Sequence, residues 1–572
     1  MRALTSERGR WTLVVAVGVL LLSLFNAWWL ARFRHGYPLD IDEAYGVSVA
    51  LVDHFALQSG GLHAWWDAVQ MQAPNAPLVP ALSSLVFVVK AGVLESFAVM
   101  ISFMALLVFA AFGIGERLAG PRLGALGALA VATSAGTFAF TRELIFALPA
   151  AALLSSAVYA LLRSEGLRRR RWALACGAAL GLMLLARTMT VALLPGVLAA
   201  AAIALISRED DARGRALVNL VLLTLTTVAV AATWYWRNLG PVYNYLTGFG
   251  YGDQADPYGP AHALVSWGRF SGVAERVAND LLLPLGLIVL VGLAVLGTEA
   301  VRRVHGATSR RAVLRSLASS DAFAVAVVFA VGYLALVSSR NAGNGFSFPL
   351  AVLLPPLAVS ALRFRPRALV PATALVALVA LVNIAAATTL SATVSRSRSI
   401  SIPTFGAVPW VRGVPNAVAA IRAEVPGSET RFDPSERGWP ETDATLARYL
   451  VRGLKVPAAT PIVTFGSRNR VINTNTVGLA TLLLFHRPLV VGQLTTEAGD
   501  TVAAYRQALG ALPYGPGVLI TTSTEAGDYL PRVTQRKAEA AARSSGFHLV
   551  RTLTLPDERQ LRVWSRLPSG VR

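Results

Sequence analysis

The sequence predicts a polytopic α-helical membrane protein of about eleven transmembrane helices, followed by a C-terminal extracytoplasmic α/β domain. Three observations predict it. Of 572 residues, 54% are hydrophobic and 15% charged, whereas a soluble domain carries about 25% charged residues. Apolar runs long enough to cross a bilayer recur along the first two thirds of the chain. From residue 391 onward the composition changes to mixed polar and apolar, with short β-rich runs alternating with helical patterns.

The first apolar run, Trp11 to Leu30, follows Arg2, Arg8 and Arg10 and has no small-residue cleavage pattern before Arg32, so it reads as a retained anchor. Further spans are expected at 96–115, 122–139, 144–162, 172–186, 189–207, 216–235, 281–298, 321–338, 347–362 and 368–390, with the first at 11–31. The run 77–93 opens with prolines and contains Lys90, which suits an interfacial or half-embedded helix. Orientation follows from charge. The segments 1–10, 116–122, 163–171, 208–215, 299–315 and 363–367 carry 21 of the 52 Lys and Arg residues, and the short turns on the other side carry one Arg each. The N-terminus is therefore expected in the cytoplasm, with the tail outside the plasma membrane. This clustering also accounts for the net charge of +20 without nucleic acid as a partner. Two outer loops are long, 32–76 and 236–280, within a membrane domain of 1–390; the outer domain is 391–572. In that domain, strands are expected at Thr460–Phe465, Leu489–Val491, Val518–Thr522 and Leu549–Leu555, and helices near 441–454, 499–511 and 532–545. The one cysteine, Cys176, excludes an intramolecular disulfide.

The first outer loop opens on Asp40-Ile41-Asp42-Glu43-Ala44-Tyr45, three carboxylates in four residues beside a bilayer. Such a carboxylate can take a proton from an acceptor hydroxyl, or Asp40 and Asp42 can hold a divalent cation (Mg, Mn or Ca). A solvated acidic loop with an aromatic belt at Trp65 and Trp66 explains the same residues without a ligand. Arg142, Arg187, Arg237 and Arg340 lie at outer ends of apolar runs, on the side otherwise poor in cations. Four guanidiniums on one side suit a phosphate, and each alone equally suits snorkelling to headgroups. Glu143 beside Arg142 is either its neutralising partner or a second active carboxylate. The second long loop, from Trp234 through Tyr258 to His262, is dense in aromatic residues and fits a carbohydrate, a lipid or the interface alone. No Walker A sequence, dinucleotide fingerprint or HExxH occurs.

In order and sidedness these features resemble the GT-C superfamily of integral-membrane glycosyltransferases, nearest the protein O-mannosyltransferase and lipid A aminoarabinose transferase branch. The resemblance rests on Asp42-Glu43-Ala44-Tyr45 after the first span, Pro74-Asn75-Ala76-Pro77-Leu78 closing the first loop and Arg142-Glu143 after the third span. It also rests on the Gly-rich run Gly177 to Arg187, on Trp236-Arg237-Asn238, and on Arg340 ahead of Phe346, Phe348 and Pro349, and it covers about residues 10–390. It implies a sugar donor on a polyprenyl phosphate, an extracytoplasmic acceptor and inversion, with Asp42 as the base. Glu43, Glu143 and Asp40 would position the acceptor or bind a metal, and the arginines with Tyr45 would hold the substrate and its lipid phosphate. The chain departs from the family at Gln72-Ala73-Pro74, where relatives carry a carboxylate before the proline. A transporter or flippase for a lipid-linked or anionic solute is the alternative; it would need ionisable groups deep in the spans, and here the acids gather at one face.

Overall fold

The structure, a computed structural model, describes residues 6–34, 38–206, 213–252, 266–305, 309, 317–341, 343, 345–388, 398–402, 406–411, 438–456, 463–469, 471–494, 499–510, 517–525 and 533–566. Asp253, Asp256, Tyr258 and His262 of the second long loop lie outside these residues. The contacts form two compact units. One comprises Met1–Trp29, Gln70–Val79 and Phe97–Pro415; the other comprises Leu30–Val69, Pro80–Ser96 and Asn416–Arg572.

The chain opens with helix α1 (Glu7–Trp29), extended by a π-helical turn to Arg34. On α1 the buried residues are Val15, Val19, Leu22, Asn26 and Trp29, a stripe at alternating steps of four and three. Leu13, Val14, Val17, Leu20, Leu21 and Leu24 stay exposed, as on a helix with one face on protein and the rest on lipid. Next come α2 (Ile41–Gln70), α3 (Leu78–Val86), α4 (Val93–Ala119), and the pair α5 (Pro121–Ala132) and α6 (Ala135–Thr141), bent by 58°. Then follow α7 (Ala147–Arg163), α8 (Arg170–Ala186), α9 (Leu194–Ile206, entered through a 3₁₀ turn from Thr188), α10 (Arg213–Gly250) and α11 (Trp267–His305). The membrane part closes with α12 (Asp321–Ser338), the interrupted apolar helix Phe348–Phe364, and α13 (Leu369–Thr388).

Each expected span overlaps helix, and among the described residues seven helices are long and apolar enough to cross a membrane, eight if the bent pair is one span. The other three are too short for that test. A helix of 17 residues such as α7 spans about 25 Å, short of the ~30 Å hydrocarbon core. Most of α7 is buried in protein, which replaces lipid around it. Helices α8 and α10 approach closely because Gly177 and Gly181 face α10. A Cβ on Gly177 would run into the Leu223 carbonyl, and one on Gly181 would lie 2.6 Å from Val230 Cβ. Thr227 Oγ1 bonds across this seam to the Gly177 carbonyl at 3.2 Å.

Both long outer loops contain more helix than the sequence reading expects. Segment 32–76 is mostly α2, kinked at Gly61, where φ is +68° and a side chain would be strained. Helix α10 runs on through Pro241 to Gly250. There Asn238 Nδ2 donates to the Trp234 and Gln70 carbonyls at 3.0 Å each, and Gln70 Nε2 returns a bond to Thr233 O at 2.9 Å. The run 77–93 holds α3, nine residues long.

The first unit also holds an antiparallel hairpin, β1 (Arg398–Ile402) and β2 (Gly406–Val411). In the second unit come α14 (Gly438–Arg448), β3 (Val463–Phe465), α15 (Thr474–Phe485), β4 (Val491–Gln493), α16 (Val502–Gly510), β5 (Val518–Thr522), α17 (Gln535–Ser544), β6 (His548–Thr554) and β7 (Gln560–Ser565). The five strands order as β4-β3-β5-β7-β6, parallel at β4-β3-β5 and antiparallel at β5-β7-β6. Strand β5 is buried along its whole length, as its run Val-Leu-Ile-Thr-Thr requires. Its alternate residues feed two cores. Val518 and Ile520 join Leu446 and Val477, while Leu519 joins Tyr505, Ala538 and Trp564. Helices α14 and α15 thus cover one face of the sheet, and α16 and α17 the other.

Candidate functional site

The acidic stretch folds as the head of α2, and the fold gives its three carboxylates different tasks. Asp40 is the residue before the helix. Its Oδ1 accepts from Asp42 N at 3.0 Å, and its carbonyl accepts from Ala44 N at 2.9 Å. Glu43 reaches back to accept from Asp40 N at 2.9 Å, the returning half of a capping box. Glu43 is fully buried and forms an ion pair with the buried Arg34, whose Nη1 donates to Pro38 O at 2.9 Å. Asp42 is the exposed member of the three, with half-buried Tyr45 three residues on, along the same helix face. The D-x-x-E spacing of Asp40 and Glu43 is itself a helix-start signature, and it is the sequence signal that separates these two acids from Asp42.

Asparagine 475, in the first turn of α15, donates to Ile41 O at 2.9 Å, tying this stretch to a residue 434 positions away. The start of α15 is itself fixed. Asn473 accepts from the Asn475 and Thr476 amides at 2.9 and 3.1 Å, and Thr476 Oγ1 accepts from Asn473 N at 3.0 Å. Thr476 Oγ1 also bonds Asp443 Oδ1 at 3.1 Å, and burial pushes the Asp443 carboxyl well above its ordinary range. A cavity of about 410 Å³ in this unit is bordered by Arg34, Lys90, Glu95, Asp443, Thr476 and Leu483 among others.

The first unit holds Arg142, Arg187, Arg237, Arg340 and Glu143. Arg142 is 1% exposed. Its Nε donates to Asn26 Oδ1 at 2.9 Å, its Nη1 to Ala387 O at 2.7 Å, and its guanidinium lies 4.1 Å from the Trp29 ring, with Phe25 and Phe138 beside it. Glu143 is fully buried. Arg187, half-buried at the end of α8, donates to Gly345 O at 3.2 Å and stacks 4.0 Å over Phe346. Gly345 has φ +74° and no room for a side chain against Ala147 and Phe140, so the carbonyl Arg187 uses depends on glycine there. Arg340 binds the end of α10, donating from Nη1 to Gly252 O at 3.0 Å and Tyr251 O at 3.3 Å, and its amide bonds Gly250 O at 2.8 Å. Arg237 is exposed on α10. The partners of Arg187, Gly345 and Phe346, lie five and six residues after Arg340, while Arg142 is held in a separate buried setting. Asp280 on α11, absent from the sequence reading, is buried and accepts from Ser347 Oγ at 3.2 Å.

Among the described residues no three His, Cys, Asp or Glu side chains converge as a metal-holding set. Asp40 is 2% exposed, and its Oδ1 is engaged by the Asp42 amide.

The fold is a multi-pass bundle of apolar helices with a C-terminal α/β region. It is similar to the crystal structure of ArnT from Cupriavidus metallidurans in the apo state, at 15% identity over 98% of each chain and a TM-score of 0.56. The crystal structure of the same protein bound to undecaprenyl phosphate matches at 15% identity over 99% of each chain, with a TM-score of 0.55. No protein-family model and no curated protein sequence matches the chain.

Proposed function

We propose that the protein is a membrane glycosyltransferase that moves a hexosyl or pentosyl group from a polyprenyl-phosphate donor to a hydroxyl of an extracytoplasmic glycan, lipid or protein. The observation that carries this reading is Asp42. It is the exposed carboxylate on a capped, ion-paired helix start, in a chain sharing its fold along its whole length with a protein solved bound to undecaprenyl phosphate. In the proposed step Asp42 takes the proton of the acceptor hydroxyl as that oxygen bonds the anomeric carbon from the face opposite the donor phosphate. The carbon–oxygen bond to phosphate breaks, the polyprenyl phosphate leaves with the electron pair, and Asp42 later returns its proton to water. Arg187, Arg237 and Arg340 are the guanidiniums proposed to meet the charge growing on the leaving phosphate, and Tyr45 lines the acceptor side of Asp42. The enclosure of Arg142 supports an internal role for it, and Glu43 is a support of the helix start.

The test is transfer from a radiolabelled polyprenyl-phosphate sugar in membranes carrying Asp42→Asn. Loss of a general base lowers turnover by about 10²–10⁴-fold; parental activity would remove Asp42 from this role. Arg187→Ala is expected to lower kcat at least as much as it raises KM for the donor, and a rise in KM with parental kcat would argue against contact with the charge that grows on the leaving phosphate.

A further inference from the structure

The proposed reaction uses Asp42 but leaves the C-terminal α/β domain without a task. We propose that this domain orients the base: Asn475 is a positioning residue that holds the start of α2 through the Ile41 carbonyl. The inference rests on the reading of Asp42 as the base. Its structural half, the tether itself, stands apart from that reading.

Ile41 is the first residue of α2 and the one immediately before Asp42. A helix start is held on its amide side by caps, and Asp40 and Glu43 supply these. Caps fix the helix relative to its own incoming chain; they do not fix it relative to the rest of the unit. Among the described residues, two contacts contribute to that. One is the Arg34–Glu43 ion pair, which leads back to the end of the first span. The other is the bond from Asn475 Nδ2 to Ile41 O. Asn475 is well suited to hold a position. Its own amide is bound by the Asn473 side chain, and Asn473 Nδ2 donates to Asn469 O at 2.9 Å. Thr476, one residue on, is bonded to Asp443 of α14. Asn469, Asn473 and Thr476 are each at most 5% exposed, so water does not compete for these bonds. The chain of contacts Asp443–Thr476–Asn473–Asn475–Ile41 thus runs from the core of the α/β domain to the residue beside Asp42. A displacement of about 1 Å in a reacting group costs on the order of 10²-fold in rate, so loss of this tether falls on kcat.

Asn475→Asp tests this with little change of shape. It removes the donor, and a carboxylate in the first turn of α15 suits the helix dipole, so the domain keeps its fold. Asn475→Ala is the second variant. For both, kcat is expected to fall ten- to a hundredfold with KM for the donor within twofold, and amide exchange at residues 40–45 is expected to speed up at least tenfold in the full chain. Asp500→Asn is the control. It weakens the same domain on the face of the sheet opposite α15 and is expected to lower Tm while leaving kcat and exchange at 40–45 unchanged. Parental kcat and parental exchange in both Asn475 variants would overturn the proposal, as would a kcat loss in Asp500→Asn matching theirs. Faster exchange at 40–45 together with full activity in Asp42→Asn would keep the tether and discard Asp42 as the base.

Discussion

Asp500 and Asp443 are two carboxyls of the α/β domain that respond to pH in opposite directions. Asp500 accepts from Lys537 Nζ at 2.8 Å, Tyr505 Oη at 2.6 Å and Thr534 Oγ1 at 2.8 Å. The Lys537 contact first, then the two hydroxyls, holds it well below the usual carboxylate range. The fold favours its ionised form, so its stabilisation is present above about pH 4 and is lost as pH falls further. Asp500→Asn should therefore lower Tm at pH 7, with the gap to the parent closing as melts are repeated toward pH 3. Asp443 is displaced upward by burial, and its bond from Thr476 only partly offsets this. The fold favours its neutral form, so its contribution is full below about pH 4 and is lost as pH rises through its raised pKa. Asp443→Asn keeps an acceptor for Thr476 and removes the proton, so its Tm should decline less than the parent's as pH rises. In the membrane part, Arg142 Nε donates to Asn26 Oδ1. Asn26→Leu leaves Nε without that acceptor in an apolar setting and should cost about 1–3 kcal/mol, read as faster thermal inactivation in detergent.

Helix α8 illustrates which parts of an element the sequence makes legible. Its apolarity marks it as buried or spanning, and Gly177 and Gly181, four apart, mark one face as a seam. Gly181→Leu should overpack that seam against Val230 and destabilise by about 1–3 kcal/mol, measured by thermal melting of the detergent-solubilised protein. Hydropathy exposes the spans because lipid imposes length and apolarity together. It does not expose where a helix continues beyond the bilayer. The Gly60-Gly61 pair reads as a loop, yet α2 bends there and resumes, with Trp65 Nε1 bonded to Ser84 Oγ at 2.8 Å on the far side. Strands β3, β5 and β6 announce themselves by β-branched residues, whereas β4, Val-Gly-Gln, overlaps the expected Leu489–Val491 only at Val491. Strand β7 does not, because Arg562 and Gln560 break up its apolar residues and only register with β5 reveals Leu561 and Val563 as core. Helix α15 also escapes notice, since its apolar run has no amphipathic period; it is covered by the sheet and α14. At the site, the capping box was written in residues 40–43, whereas the Arg34 and Asn475 contacts join positions that no local pattern links.

At the scale of the whole molecule, sidedness decides whether the proposed chemistry faces the outer acceptor. The charge pattern predicts the N-terminus and residues 299–315 on the cytoplasmic side and the tail outside. This assignment depends on 77–93 not crossing the membrane, because a crossing there would invert everything after it. Helix α3, with nine residues, reaches only about 14 Å along its axis, less than half of the ~30 Å core. The lone cysteine, Cys176, is fully buried, so the parent chain offers little background to thiol labelling. Three exposed positions then read the topology one at a time: Ser6 before α1, Arg302 near the end of α11, and Thr552 on edge strand β6. A membrane-impermeant maleimide should label Thr552→Cys in intact cells, and Ser6→Cys and Arg302→Cys only after permeabilisation. Labelling of Arg302→Cys in intact cells, with Ser6→Cys protected, would mean that 77–93 crosses after all. It would also place the α/β domain in the cytoplasm, away from any extracytoplasmic acceptor.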